Sequence, residues 1–153
     1  MEVQTYTYKY PRPAVTTDCV VFRVEEGVLK TLLIERGNEP YKGYWAFPGG
    51  FLNMDENAEQ GALRELEEET GLKLNHAEEF GTFSTVDRDP RGRVISIAFY
   101  AITEHSVVKG GDDAAKAQWF PIDSTPPLAF DHDEMLAKAI ARLHKDNPNF
   151  ITI

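Results

Sequence analysis

Seven of the fifteen residues from 55 to 69 are acidic: Asp55, Glu56, Glu59, Glu65, Glu67, Glu68 and Glu69. On a helix, at about 100° per residue, Glu65, Glu68 and Glu69 fall within a roughly 100° arc of one face. Carboxylates packed this closely repel one another and need water, a base or a cation between them. Arg64 can reach Glu68 four residues on, but it sets one positive charge against three negative ones. A hard divalent cation with oxygen ligands meets the remainder. Magnesium suits best, because it keeps several waters and shares its coordination with substrate phosphates; manganese is the alternative. Such an ion activates water toward phosphorus, and a second can clamp the leaving oxygen. A merely solvated acidic face would explain the charge. It would explain neither Gly61, in the same arc one turn earlier, nor the Pro48-Gly49-Gly50 lead-in. Glycine inside a helix costs about 0.8–1.0 kcal/mol relative to alanine, so close approach of a ligand or another backbone is expected there.

The elements that must position these carboxylates follow from spacing. Residues 57–70 read as a helix, with Asn57 as N-cap, Gly71 as the stopping glycine and Ala58, Ala62 and Leu66 as the buried stripe. Residues 15–24 and 28–36 read as a hairpin about Glu25-Glu26-Gly27, residues 37–43 as a polar loop, and residues 45–47 as a short strand. Residues 80–86 and 94–102 read as paired strands around a turn at 87–93, and Trp119 and Phe120 as core residues on a short final strand. Residues 131–144 read as a second helix, opened by a capping box from Asp131 to Glu134, with Met135, Ala139, Ile140 and Leu143 on its apolar face. Tyr6, Tyr8 and Tyr10 alternate as on a strand with an aromatic edge, which suggests a homodimer through the N-terminal segment or packing on the chain's own sheet. Strands, a helix, strands and a helix make a mixed α/β sandwich rather than a βαβ repeat. With 153 residues, no internal repeat and no linker, one domain over residues 1–153 is expected.

Gly50, five residues, Glu56, seven residues, then Arg64-Glu65-Leu66-Glu67-Glu68-Glu69-Thr70-Gly71-Leu72 matches the Nudix box at all nine of its defined positions. The segment therefore resembles the Nudix hydrolase family. The resemblance implies an α/β/α sandwich with a mixed sheet between helices, and cleavage of a pyrophosphate bond in a nucleoside diphosphate linked to a second group. It also implies a metal site of Glu65, Glu68, Glu69 and Gly50. Glu65 and Glu69 would be primary ligands, and Glu68 would bind directly, through water or toward a second ion. Arg64 would orient the carboxylates and Glu56 would brace the loop.

The box leaves the second group open. Tyr10-Pro11-Arg12-Pro13, Trp45-Ala46-Phe47-Pro48-Gly49-Gly50-Phe51, Asp87-Arg88-Asp89-Pro90-Arg91-Gly92-Arg93 and Leu128-Ala129-Phe130-Asp131-His132 resemble the branch with ADP-ribose pyrophosphatases. That branch also holds non-catalytic sensor domains of regulators, which carry a DNA-binding domain after the Nudix part. The chain stops at Ile153 without a basic extension and its box is intact, so an enzyme is expected over a sensor. A nucleoside triphosphate cleaner is the third possibility. Arg36, Arg88, Arg91 and Arg93 are candidate phosphate or ribose contacts, because a guanidinium can engage phosphate through two donors. Phe47, Tyr10, Trp45 or Phe83 could stack on the base, with core packing as the alternative for each. Asp112, Asp113 and Glu104 are candidate general bases, and His132, beside a helix start, is expected to be structural.

A net charge of −9 disfavours nucleic-acid binding, so the expected partner is a small nucleotide. Cys19 is the only cysteine and lies in the apolar run Cys19-Val20-Val21-Phe22, which reads as a buried structural thiol. No disulfide framework, no signal pattern at the N-terminus and no apolar stretch near the ~20 residues of a membrane helix make the cytoplasm the expected location.

Overall fold

The computed structural model describes residues 4–105, 108, 110 and 114–150. Seven strands form one mixed sheet: β1 (Ala14–Glu25), β2 (Val28–Arg36), β3 (Trp45–Ala46), β4 (Gly49–Phe51), β5 (Glu78–Phe83), β6 (Val94–Ile102) and β7 (Ala114–Pro121). Helix α1 (Ala58–Thr70) lies between β4 and β5, and α2 (His132–Asp146) closes the described chain. The central pair, β1 and β6, is parallel, with Ala14 opposite Val94 and Phe22 opposite Ile102; the other named pairs are antiparallel.

Alternation along β1 builds a core on each face of this sheet. Val20 and Phe22 point to one side, where they meet Met135, Leu136, Ala139 and Leu143 of α2. Cys19 and Val21 point to the other, against Ala62 and Leu66 of α1. The result is the expected sandwich with a sheet between helices. Phe120 and Trp119, neighbours on β7, divide between the two cores. Cys19 is fully buried, and burial lifts its thiol to about 12. It is packing, not chemistry. Among the described residues no helix is long and apolar enough to cross a membrane.

The hairpin of β1 and β2 does not stay closed. The two strands pair from Phe22–Thr31 to Glu25–Val28. Beyond Thr31 and Phe22 they part, and β3 and β4 fill the gap: Ile34 pairs with Ala46, and Asp18 with Gly49. The wedge has no room for side chains at its tip. A Cβ on Gly49 would collide with the Thr17 carbonyl and the Asp18 carboxylate. The Cys19 amide donates to the Pro48 carbonyl at 2.9 Å and so joins wedge to central strand.

Several expectations change here. The strand at 80–86 lies at Glu78–Phe83, and the short strand at 45–47 ends at Ala46 and is followed by β4. The final strand is longer than its aromatic pair suggested. Residues 4–10 form no strand; Tyr6 and Tyr8 stack on each other at 6.5 Å, and all three tyrosines are exposed. Alternation alone gives no strand without a partner for its hydrogen bonds. Asp131 does precede α2, but its side chain caps nothing, since its carboxylate is committed to Arg88.

Candidate active site

Helix α1 is fixed at both ends. The Asn57 side chain accepts from the Gln60 amide at 2.8 Å, the Gln60 side chain accepts from the Asn57 amide at 2.8 Å, and Gly71 closes the C-terminus with φ 77°. This capping box was present in the sequence as Asn57 and Gln60. Gly61, expected to admit a ligand or backbone, instead admits the preceding loop. A Cβ there would stand 2.6 Å from Leu52 Cδ1 and 2.9 Å from Glu56 Oε2.

The loop is braced by a single guanidinium. Arg64 donates through Nε and Nη2 to the two oxygens of Glu56, each at 2.8 Å, and through Nη1 to Glu65 at 2.9 Å and Glu68 at 3.2 Å. Glu56 also accepts from the Asn53 amide at 2.9 Å. The Glu56 hydrogen bonds, the largest influence, hold Arg64 firmly in its charged form. Burial pushes the Glu65 pKa above the usual carboxylate range, with Arg64 opposing it. Glu69 is 8% exposed and accepts from the Gly49 amide at 2.8 Å, tying the helix to the wedge. Gly50 faces Glu65 so closely that a Cβ would stand 2.6 Å from its Oε1.

The wedge and the carboxylates of α1 line a cavity of about 400 Å³. Its lining includes the carboxylates Glu65, Glu68 and Glu69 and the guanidiniums of Arg36, Arg88 and Arg91. Its donors toward a cation are hard oxygens on a helix face beside a glycine backbone, which fits magnesium in kind. Among the described residues no three ligating side chains converge as a closed cage, and Arg64 pairs with both Glu65 and Glu68. Magnesium does not demand such a cage, since water and substrate oxygens complete its shell.

The candidate contacts separate by position. Arg36 spends its Nε on the Pro40 carbonyl at 2.7 Å and stacks over Phe130 at 5.0 Å. Burial, and after it the charge of Arg91, lowers its pKa. Arg91 is held by Asp89, which is 4% exposed, with bonds of 2.7 and 3.0 Å, and its guanidinium lies over Phe51 at 4.9 Å. Burial opposes the Asp89 charge, but the Arg91 hydrogen bonds outweigh it and bring its pKa below the usual value. Arg88 lines the cavity yet is locked: both Asp131 oxygens accept from it, at 2.9 and 2.6 Å, and its side chain is 4% exposed. It positions the turn and has little left for a ligand. Arg93 does not line the cavity and donates to the Ser84 carbonyl at 2.8 Å.

Phe47 lines the floor, but it is 2% exposed and its ring stacks on His132 at 5.3 Å, so it offers no open face to a base. Phe51, 46% exposed, and Phe130 present aromatic surface that sequence reading did not single out. Tyr10, Trp45 and Phe83 do not line the cavity. Glu104 does not either; its carbonyl accepts from Arg23 at 3.2 Å. Asp112 and Asp113 lie outside the described residues.

Asp18 was also missed. It is 7% exposed on β1, lines the cavity and accepts from Ser96 Oγ at 2.5 Å. Its other oxygen faces His132 Nε2 at 3.6 Å. The Phe47 amide donates to His132 Nδ1 at 3.1 Å, which places the ring proton on Nε2. Burial, despite Asp18 and Asp131, holds the His132 pKa below its ordinary 6.5. In the unfolded chain the ring takes a proton more readily. This contribution to stability is therefore complete above about pH 6.5 and declines as pH falls below it. In a ¹H–¹⁵N titration of the folded protein His132 is expected to remain the Nε2-protonated neutral tautomer at pH 6.5; a midpoint at or above 6.5 contradicts the assignment.

Comparison with known proteins follows the same lines. A NUDIX domain model matches residues 12–140. The chain is 43% identical over 127 residues to an ADP-ribose pyrophosphatase of Methanocaldococcus jannaschii, covering 83% of this chain and 73% of that protein. It is 35% identical over 140 residues to the ADPR responsive transcriptional repressor NtrR of Acinetobacter baylyi, covering 88% of this chain but 56% of the repressor, and so spans about half of its length. The NUDIX domain of Shewanella oneidensis NrtR, solved with ADP ribose, superposes with a TM-score of 0.83 at 32% identity, covering 90% of this chain and 94% of that one.

Proposed function

The chain belongs to the Nudix hydrolase family, and on that premise we propose that it hydrolyses ADP-ribose to AMP and ribose 5-phosphate in a magnesium-dependent reaction. The observation that carries this reading is the cavity, whose lining combines the carboxylates Glu65, Glu68 and Glu69 with the guanidiniums of Arg36 and Arg91. A diphosphate needs both: oxygens that hold a cation, and donors for the phosphate oxygens.

Glu65, Glu68 and Glu69, with the Gly50 backbone, would hold the ion. When bound, it would withdraw charge from the diphosphate and lower the pKa of coordinated water. Arg64 keeps Glu65 and Glu68 aimed at the cavity and Glu56 in the loop. Arg36 and Arg91 receive the phosphate oxygens, and Phe51, exposed beside Arg91, offers its face to the base. Asp112 and Asp113 stay as candidate bases, since Glu104 does not line the cavity.

The likeness to two ADP-ribose-linked regulator sequences supports a second reading, a module that binds the nucleotide without cleaving it. One assay separates the two. The protein is incubated with magnesium and ADP-ribose, nucleotide sugars or nucleoside triphosphates, and AMP and phosphate release are measured. The enzyme reading expects AMP from ADP-ribose in preference to the rest. Calorimetric binding of ADP-ribose without turnover replaces it with the sensor.

A further inference from the structure

Two bulky residues near the cavity have backbones in the left-handed region, Tyr41 at φ 61° and Phe130 at φ 53°. Neither is glycine, asparagine or aspartate, so each is a conformational outlier. Outliers of this kind persist where the surroundings enforce them, and they concentrate at binding sites. These two touch: their rings lie 4.8 Å apart at 59°. Phe130 then carries two guanidiniums, with the Arg36 Cζ 5.0 Å and the Arg91 Cζ 5.6 Å from its ring centre.

The two cations are not equivalent. Arg91 is neutralised by Asp89. Arg36 is half-buried, and among the described residues it has no carboxylate in salt-bridge contact. A partly desolvated cation beside a second cation is unfavourable unless an anion or a π face offsets it. The ring of Phe130 is that face, and the cavity is where an anion would complete the arrangement.

We propose that Phe130, held by Tyr41, is a positioning residue that aligns Arg36 and Arg91 as one two-guanidinium seat for a phosphate group of a diphosphate ester. This rests on the reading of the cavity as a diphosphate site, but not on which group the diphosphate carries. Removing the ring while keeping an apolar side chain frees Arg36 to move, and the effect falls on binding.

The test uses Phe130→Leu, Phe130→Tyr, Arg36→Gln and the Phe130→Leu/Arg36→Gln double variant. Inorganic pyrophosphate without divalent metal is the calorimetric probe, and ADP-ribose hydrolysis gives KM and kcat. Phe130→Leu is expected to raise KM about tenfold, roughly 1.4 kcal/mol, to leave kcat within about twofold, and to weaken pyrophosphate binding in parallel. Phe130→Tyr keeps the ring and restores wild-type KM. The double variant is expected to bind no more weakly than Arg36→Gln alone, because both changes disable one seat. Losses that add, or pyrophosphate binding unchanged in Phe130→Leu, overturn the proposal. If the leucine variant does not fold, Phe130→Met carries the same test. A wild-type protein that leaves ADP-ribose intact while the pyrophosphate losses remain non-additive refutes the substrate and keeps the seat.

Discussion

Glu69→Gln is expected to lower kcat/KM by roughly 10²–10³, the scale of removing one preorganised electrostatic contact. Glutamine is the informative replacement. The Glu69 carboxylate is buried and its Oε1 accepts from the Gly49 amide at 2.8 Å. The amide oxygen of glutamine can accept that same hydrogen bond, so helix and wedge stay joined while one negative charge is removed. Thermal stability is expected to change little, and calorimetric affinity for Mg²⁺ or Mn²⁺ to fall with activity. Glu67→Gln is the control, because Glu67 is exposed and does not line the cavity. Full activity in Glu69→Gln would remove Glu69 from the metal site.

The second large effect is on stability. Asp131→Asn is expected to destabilise the fold by about 3 kcal/mol, as losing one partner of a buried ion pair does. Arg88 would then keep a nearly inaccessible guanidinium without its counter-charge. Asp131 makes no cap hydrogen bond to α2, so the loss reports the pair and not the helix terminus. Burial opposes the Asp131 charge, but Arg88 outweighs it and holds the pKa below the usual carboxylate value. This stabilisation is accordingly present above that value, and it is lost as pH falls through the depressed one. At neutral pH a chain of this size should melt roughly 6–12 °C lower. Differential scanning calorimetry of Asp131→Asn, Arg88→Met and the double variant checks this. The double change is expected to recover part of the loss, since no orphaned charge remains. A melting temperature within about 1 °C of wild type for Asp131→Asn would show that the pair contributes nothing.

What sequence reading captured and what it missed divide along one line: the distance between partners. The carboxylates of α1, its N-cap and its stopping glycine are local, and a helix of 3.6 residues per turn places them without further information. Glu69 and Glu65 were therefore legible as neighbours. Arg88 was not legible as an anchor, because Asp131, 43 residues away, holds it. The same contact explains why Asp131, read as a cap, caps nothing. Asp18 was passed over, since its partner Ser96 lies 78 residues away. Phe47 and Phe130 carry the same side chain, and each follows an alanine. Only the fold buries one beneath the cavity and brings the other beside two guanidiniums. The wedge strand Gly49–Phe51 has no alternation to reveal it, because Gly49 answers to the Thr17 and Asp18 atoms behind it and Gly50 to the Glu65 carboxylate.

The parallel pairing of β1 with β6 has a consequence for the order in which the molecule assembles. The β1–β2 hairpin, the wedge and α1 are contiguous in the chain and need only short-range closure. The turn carrying Arg91 and the segment carrying Phe130 join them only after β6 docks on β1, a contact of long sequence separation that is intrinsically slow to form. A refolding chain thus gathers its carboxylates and Arg36 early, and Arg91 and Phe130 late. In stopped-flow refolding, protection of the α1 amides should precede the ability to retain a nucleotide, with a lag set by the closing of that central pair.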